Sequence, residues 1–231
     1  MTARRDQLVA GLAAVRSRVL NACAAAARDP AGLTVVVVTK TFPASDVRLL
    51  VDLGVHDIGE SRHQEAVGKV EDCAGLPLRW HFVGRLQVNK AAAVARYAAV
   101  VHSVDRPRLV DGLARGAAAA EREVACLVQV SLDEDPARGG AVGDQVLAIA
   151  DRVAAAPALR LGGVMAVAPL GADPNRAFDR LSHVAEQVQK LHPSAIWISA
   201  GMSNDLEAAV AHGATHLRVG SAILGARPVR V

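Results

Sequence analysis

The sequence predicts an α/β protein folded as a single (β/α)8 barrel of the TIM type, covering residues 1–231 as one domain. Eight short apolar segments alternate with Ala-, Leu- and Val-rich segments of helical spacing, and this alternation favours a parallel sheet. A length of 231 residues is usual for such a barrel. The alternative is a doubly wound open sheet, but no GxGxxG motif follows the first strand.

An extra amphipathic helix is expected before the barrel. Five apolar residues recur there on one helical face: Leu8, Leu12, Val15, Val19 and Cys23. Arg16 and Arg18 interrupt the apolar core that an export signal would need. No segment is expected to span a membrane, and no second domain is expected after the barrel.

The eight predicted strands follow in order, each ending at the same side of the barrel. The first is a four-valine run, typical of a strand buried on both faces. The predicted strands are 33–39, 55–59, 79–83, 99–103, 124–131, 161–166, 195–199 and 216–220. The predicted helices between them include 44–53, 106–120, 140–155, 176–191 and 204–212.

Composition excludes several classes of protein. The chain is 52% apolar and only 3% aromatic, and its net charge of +3 comes from scattered Lys and Arg, so nucleic-acid binding has little support. Cys23, Cys73 and Cys126 are odd in number and form no CxxC motif, which favours a reducing compartment over a disulfide or zinc framework. We expect a cytoplasmic protein.

Lys40 is the first candidate functional residue, because it directly follows the buried first strand. Active sites of (β/α)8 barrels lie at the C-terminal ends of the strands. Partial desolvation lowers the pKa of an amine, and the neutral amine attacks a carbonyl to form a Schiff base. A lysine that snorkels to solvent at a strand end gives the same pattern.

The loops after strands seven and eight predict a phosphate site. The first reads Gly201-Met202-Ser203-Asn204-Asp205, and the second reads Arg218-Val219-Gly220-Ser221 before a short expected helix over 222–224. These loops recurrently bind phosphate in barrel enzymes, through hydroxyls and the N–H groups of a helix start. Alternatively, Ser203 or Asn204 is only a helix N-cap and Gly220 only a tight turn.

Arg218 extends this interpretation to a cofactor. It lies two residues before Gly220, near whatever the phosphate anchors, unless it instead pairs with Glu60 at the barrel mouth. An aldehyde on Lys40, an anchored phosphate and an arginine at a ring nitrogen together describe pyridoxal 5′-phosphate (PLP). A guanidinium keeps its protons, so the pyridine nitrogen facing it should stay unprotonated.

A metal-dependent barrel hydrolase is a distant third possibility. Glu60 and His63 are three residues apart, and His56, His81 and His102 lie near strand ends. No HExxH or other defined ligand spacing occurs, and no GxSxG nucleophile motif occurs, so we predict no metal ligand.

Short segments along nearly the whole chain resemble the pyridoxal phosphate homeostasis protein family, relatives of the barrel domain of alanine racemase. They include Val38-Thr39-Lys40-Thr41, Trp80-His81-Phe82-Val83-Gly84, His102-Ser103-Val104-Asp105, Gly201-Met202-Ser203 and the run from Arg218 to Arg227. The resemblance implies a PLP fold-type III barrel with a Schiff base on Lys40. It also implies phosphate contacts from Ser203, Gly220 and Ser221, and Arg218 at the pyridine nitrogen.

Three strand-end residues complete the expected cofactor-binding set: Ser61, His81 and Met202. Two positions depart from the family pattern. Ser61 stands where an asparagine is usual, and Phe42 stands where a basic residue is frequent. The second departure bears on any transfer mechanism that uses another amine beside Lys40.

The sequence favours a carrier over an enzyme. Racemisation needs an acid/base on each side of the cofactor ring. Tyr97, the single tyrosine, precedes strand four and is expected at the opposite end of the barrel. His81 is the remaining candidate for a second catalytic base. We therefore expect a monomer that buffers PLP and delivers it to apo-enzymes, with a slow amino-acid racemase as the alternative.

Overall fold

The computed structural model describes residues 2–133, 135 and 137–226. In this part of the chain, eight parallel strands pair in sequence order and close when β8 returns to β1. The strands are β1 (Thr34–Val38), β2 (Asp57–Glu60), β3 (Arg79–Phe82), β4 (Val100–Val104), β5 (Val124–Gln129), β6 (Leu159–Met165), β7 (Trp197–Ser199) and β8 (His216–Val219). The predicted (β/α)8 barrel is confirmed.

Helices follow the strands and cover the outside of the barrel. They are α1 (Thr2–Ala25), α2 (Ala44–Asp52), α3 (His63–Asp72), α4 (Ala91–Ala95), α5 (Pro107–Ala119), α6 (Asp144–Ala154), α7 (Pro174–Leu191), α8 (Leu206–Ala211) and α9 (Ser221–Leu224). The short last helix agrees with the prediction, whereas α3 and α4 were not among the predicted helices. Arg227 and both ends of the predicted 1–231 domain lie outside the described residues.

The strands bury both faces because helices cover the outside and side chains fill the inside. Val36, Val37 and Val38 of β1 are buried, and so is every residue of β5. Val37 lies opposite Ile58 of β2 and Val219 of β8. This register brings the C-terminal ends of β1, β2 and β8 side by side, so Lys40, Ser61 and Gly220 can meet at one mouth.

The leading helix α1 packs against the barrel along its predicted face. The side chains of Leu8, Leu12, Val15, Val19 and Cys23 are buried. By length and composition alone the segment Ala3–Ala25 could cross a membrane, contrary to the expectation from the sequence. Arg4 pairs with Asp46 at 2.5 Å and Arg18 with Glu207 at 2.7 Å, so ion pairs add to the apolar contact with the barrel.

Candidate functional site

A cavity of about 380 Å³ opens at the C-terminal mouth of the barrel. This volume is within the range of small-molecule sites. Seven of the eight predicted cofactor-binding residues line it: Lys40, Ser61, Met202, Ser203, Arg218, Gly220 and Ser221. Residues far apart in sequence therefore meet in one place, as the strand-end argument predicts.

Lys40 sits in a turn whose backbone is held in an unusual conformation. The next residue, Thr41, has φ of 71°, a left-handed conformation that β-branched residues rarely adopt. The Thr41 N–H donates to Glu65 Oε1, and the Phe42 N–H donates to the Thr39 carbonyl at 3.0 Å. Such strain persists only where the surroundings determine the conformation. The turn is therefore built to present Lys40 to the cavity.

A buried charge cluster beneath this turn supplies the surroundings. The Lys69 ammonium donates to the Thr39 carbonyl at 2.6 Å, to Glu60 Oε1 at 2.6 Å and to Glu65 Oε1 at 3.0 Å. Thr39 Oγ1 also donates to Glu60 Oε1, at 2.7 Å. Burial raises the pKa of the Glu60 carboxyl above its ordinary value, against the effect of Lys69, which lowers it. Lys69 thus links the ends of β1 and β2 to α3.

Ser203 and Ser221 form a hydroxyl pair within the cavity. Ser221 Oγ donates to Ser203 Oγ at 3.2 Å, and the Ala222 N–H donates to the same Ser203 oxygen at 3.3 Å. The N-cap of α8 is Asp205, and no side-chain cap bond forms there. The expectation that Ser203 or Asn204 is the N-cap of the helix that follows is therefore wrong, and Ser203 instead accepts from the first turn of α9.

Two glycines allow close packing of the backbone in the loops that carry this hydroxyl pair. Gly201 has φ of 87°, and a Cβ there would lie 2.6 Å from the Ala209 Cβ. A Cβ on Gly220 would lie 3.1 Å from the Val38 carbonyl oxygen. Gly201 therefore needs glycine, whereas a Cβ at Gly220 would be a tight contact. The result is a concave patch of hydroxyls and backbone that fits an anion such as a phosphate.

Arg218 reaches the cavity from inside the barrel. Its Nη1 donates to Ser199 Oγ at 2.5 Å, and its Nη2 donates to the Ala166 carbonyl at 2.8 Å. Glu60 pairs with Lys69, so the suggested ion pair between Glu60 and Arg218 is wrong. Burial lowers the pKa of Arg218 to about 10, although Asp205 acts to raise it. The guanidinium therefore stays charged at neutral pH.

His81 does not lie at this mouth, and its prediction as a cofactor-flanking residue or second base is wrong. Its imidazole is buried inside the barrel, bonded to Asp57 Oδ1 at 2.9 Å and to His102 Nε2 at 2.9 Å. It lines a separate cavity of about 420 Å³ at the N-terminal ends of the strands. Val83 and Gly84, which directly follow β3, line the mouth cavity instead.

Tyr97 lies outside the Lys40 cavity but not at the opposite end of the barrel. Its ring stacks on His63, the first residue of α3, with centroids 5.9 Å apart. Burial raises the pKa of its hydroxyl well above the ordinary value.

Phe42 lines the cavity, with the Arg4 guanidinium 5.3 Å from its ring centroid. Among the described residues, no three His, Cys, Asp or Glu side chains cluster as a metal site would require.

Some positioning residues were not found from the sequence. The i,i+4 spacing of Glu65 and Lys69 on a helix suggests an ion pair. Nothing in the sequence indicates that this pair is buried beneath the Lys40 turn. His102 was expected only near a strand end, whereas deep inside the barrel its Nδ1 lies 2.8 Å from Ser199 Oγ.

Comparison with known proteins agrees with this geometry. The family model of the alanine racemase N-terminal domain matches residues 12–228. The chain is 44% identical to the pyridoxal phosphate homeostasis protein of Mycobacterium tuberculosis, over 98% of this chain and 95% of that one. It is 33% identical to the protein of the same name from Escherichia coli, over 96% and 97% of the two chains.

A solved structure shares the fold. PipY of Synechococcus elongatus, solved with PLP bound, is 31% identical, with a TM-score of 0.83 over 94% of this chain and 100% of that chain. The family match, the near full-length identities and the closed barrel agree with one another. The chain belongs to the pyridoxal phosphate homeostasis protein family, whose barrel is that of the alanine racemase N-terminal domain.

Proposed function

We propose that the mouth cavity binds PLP and that the protein holds and releases this cofactor without turning over a substrate. The proposal rests on one observation. Lys40, Arg218 and the Ser203–Ser221 hydroxyl pair line the same cavity. These groups match the aldehyde, the ring nitrogen and the phosphate of PLP. The structure of PipY with PLP bound and the names of the relatives support it.

Each group of the chain has a distinct task in this proposal. When bound, PLP supplies an aldehyde that condenses with an amine and a ring that withdraws electrons. Lys40 supplies the amine for a Schiff base. Ser203, Ser221 and the backbone at Gly220 hold the phosphate, and Met202 and Ser61 line the same cavity. The charged Arg218 would donate a hydrogen bond to the pyridine nitrogen.

The same residues favour storage over catalysis. A guanidinium that retains its protons leaves the pyridine nitrogen unprotonated, which weakens the ring as an acceptor of electrons. A racemase also needs a second acid/base opposite the amine. His81 and Tyr97, the two candidates from the sequence, do not line this cavity.

We further propose that the protein works as a monomer in the cytoplasm and passes PLP to apo-enzymes that depend on it. Cys23, Cys73 and Cys126 are free and buried, in keeping with a reducing compartment. Transfer can be measured with an apo-enzyme separated from the loaded protein by a dialysis membrane or mixed with it. Faster activation on mixing supports delivery by contact, and equal rates contradict it.

Titration with PLP tests the binding site. The wild-type protein is expected to gain the absorbance band of a Schiff base, and Lys40→Ala to lose it. Lys190→Ala, which removes an exposed lysine of α7, serves as the matched control and should behave as wild type. A band that persists in Lys40→Ala, or that is absent from the wild type, contradicts the proposal. Sustained loss of optical activity from a single amino-acid enantiomer contradicts the storage function.

A further inference from the structure

A chain of hydrogen bonds runs through the barrel interior from Arg218 to the opposite end. Arg218 Nη1 lies 2.5 Å from Ser199 Oγ, and this oxygen lies 2.8 Å from His102 Nδ1. His102 Nε2 lies 2.9 Å from His81 Nδ1, and His81 Nε2 lies 2.9 Å from Asp57 Oδ1. Five side chains from β2, β3, β4, β7 and β8 are joined without a gap.

The two ends of the chain determine its direction. A guanidinium only donates hydrogen bonds, and an ionised carboxylate only accepts them. Ser199 Oγ therefore accepts from Arg218 and has its own hydrogen to donate to His102 Nδ1. His81 must present N–H to Asp57, so its Nδ1 accepts from His102 Nε2–H. With both imidazoles neutral, each bond has one donor and one acceptor, and all donors point toward Asp57.

Burial and charge agree with this assignment. Ser199, His102 and His81 are buried, whereas Asp57 keeps 14% of its side chain exposed and also pairs with Arg79 at 2.6 Å. Burial lowers the pKa of His102 well below its ordinary value, and the nearby Arg218 cation acts in the same direction. Burial alone would raise the pKa of Asp57, but bonds from His81 and Arg79 outweigh it and lower the pKa to about 2.

The chain compensates a charge that is otherwise poorly matched. Among the described residues, the two hydrogen-bond acceptors of the Arg218 guanidinium, Ser199 Oγ and the Ala166 carbonyl, are neutral. Burying a cation without an anionic partner is costly. Hydrogen bonds aligned in one direction polarise one another, so a carboxylate at the far end strengthens the first bond at Arg218. The aligned chain also fixes the hydroxyl rotamer of Ser199 and hence the direction of Nη1.

We propose that Asp57, at the N-terminal end of the barrel, orients Arg218 at the mouth and supports its charge through His81, His102 and Ser199. These four are positioning residues, since they act on the cofactor through Arg218. The effect on PLP rests on the proposed function, whereas the chain itself is a property of the protein without cofactor.

The first test uses the cofactor-free protein, so it does not depend on PLP binding. Nitrogen-15 NMR of the imidazoles at neutral pH should show His81 and His102 as neutral rings protonated at Nε2. Asp57→Asn removes the terminal charge and should shift the signals of His102, which Asp57 does not touch. Asp111→Asn, at an exposed pair with Arg152, should leave them unchanged. Nδ1–H or doubly protonated rings, or His102 signals unaffected by Asp57→Asn, overturn the chain.

The second test asks whether the chain acts on the cofactor. Asp57→Asn should shift the absorbance maximum of bound PLP and weaken PLP binding by about fivefold, the low end of coupling between linked sites. Asp111→Asn should do neither. If PLP binds Asp57→Asn and wild type with the same spectrum and affinity, the coupling to Arg218 is wrong even where the tautomers are as assigned. If PLP binds neither, the proposed function fails and the NMR result still decides the chain.

Discussion

The two ends of this barrel hold similar polar residues but arrange them differently. At the N-terminal end, the charged groups are matched with one another: Asp57 with Arg79 and His81, and Arg160 with Glu123 at 3.6 Å and with the Trp197 ring at 4.3 Å. At the C-terminal mouth, Arg218 bonds neutral acceptors and the two serine hydroxyls bond each other. Apart from the buried Lys69 cluster beneath the Lys40 turn, the mouth presents Arg218 and two serine hydroxyls to its cavity, whereas the charged groups of the N-terminal end face charged or aromatic partners.

Polar residues alone therefore do not identify a binding site. Both ends contain a cavity of about the same size, 380 Å³ at the mouth and 420 Å³ at the other end. What distinguishes the mouth is the strained turn at Thr41, the close backbone packing at Gly201 and Gly220, and the buried Arg218 cation, whose acceptors among the described residues are neutral. Such features have an energetic cost in the folded protein and are typical of functional sites.

The largest expected effect is at the charge cluster that holds the Lys40 turn. Lys69→Met should destabilise the protein by about 3–5 kcal/mol, because it leaves the buried Glu60 carboxylate without its ammonium partner. Denaturant unfolding measures this loss. The double variant Lys69→Met with Glu60→Gln should recover part of it, since the uncompensated charge is then removed.

Lys190→Met is the matched control, since it removes a lysine that is exposed in the last turn of α7. It should change the free energy of unfolding by less than about 0.5 kcal/mol. If Lys69→Met is as stable as this control, the cluster does not hold the mouth together, and the contrast between the two ends loses its structural basis.

The hydroxyl pair gives the next effect in size. Ser203→Ala and Ser221→Ala should each weaken PLP binding by about 0.5–3 kcal/mol, because each removes a hydrogen bond to a charged phosphate. Equilibrium titration measures the loss, with the exposed Ser194→Ala as control. Full PLP affinity in both variants would mean that the phosphate does not bind at the loops after β7 and β8.

An effect of narrower range concerns the N-terminal end and depends on pH. The folded-state pKa of Asp57 is lowered from 3.8 to about 2, so its ionised form stabilises the fold. At neutral pH, Asp57→Asn should therefore cost about 1–2 kcal/mol. This difference from wild type should be complete above the unfolded-state pKa and disappear as the pH falls from about 4 to about 2.

Unfolding of both proteins across this pH range checks the prediction, with Asp111→Asn as an exposed control. A difference that stays constant down to pH 2 would mean that the charge of Asp57 is not what stabilises this end of the barrel.

Most of the fold could be predicted because buried parallel strands carry a strong local signal. The four valines of β1 and the helical face of α1 show their burial directly in the sequence. Helices α3 and α4 lack such a signal. The residues HQEAVGKVED of α3 are mostly polar, and α4 spans only Ala91–Ala95. Their helical state depends on packing against the barrel.

The candidate site was predictable where it lies directly on strand ends, as at Lys40, Ser203, Arg218 and Ser221. It was not predictable where depth within the barrel decides. His81 belongs to a strand of only four residues, Arg79–Phe82. Val83, two residues further along the chain, already lines the mouth cavity, whereas the His81 side chain lies inside the barrel. Strand tilt sets that depth, and tilt leaves no mark in a single sequence.

In the proposed function, Lys40 is the amine that binds PLP covalently. Loading the protein with PLP, reducing it with borohydride and mapping the peptides by mass spectrometry tests this claim most directly. We expect one pyridoxyl adduct, on Lys40. Modification at Lys69, Lys90 or Lys190 with Lys40 unmodified would contradict it.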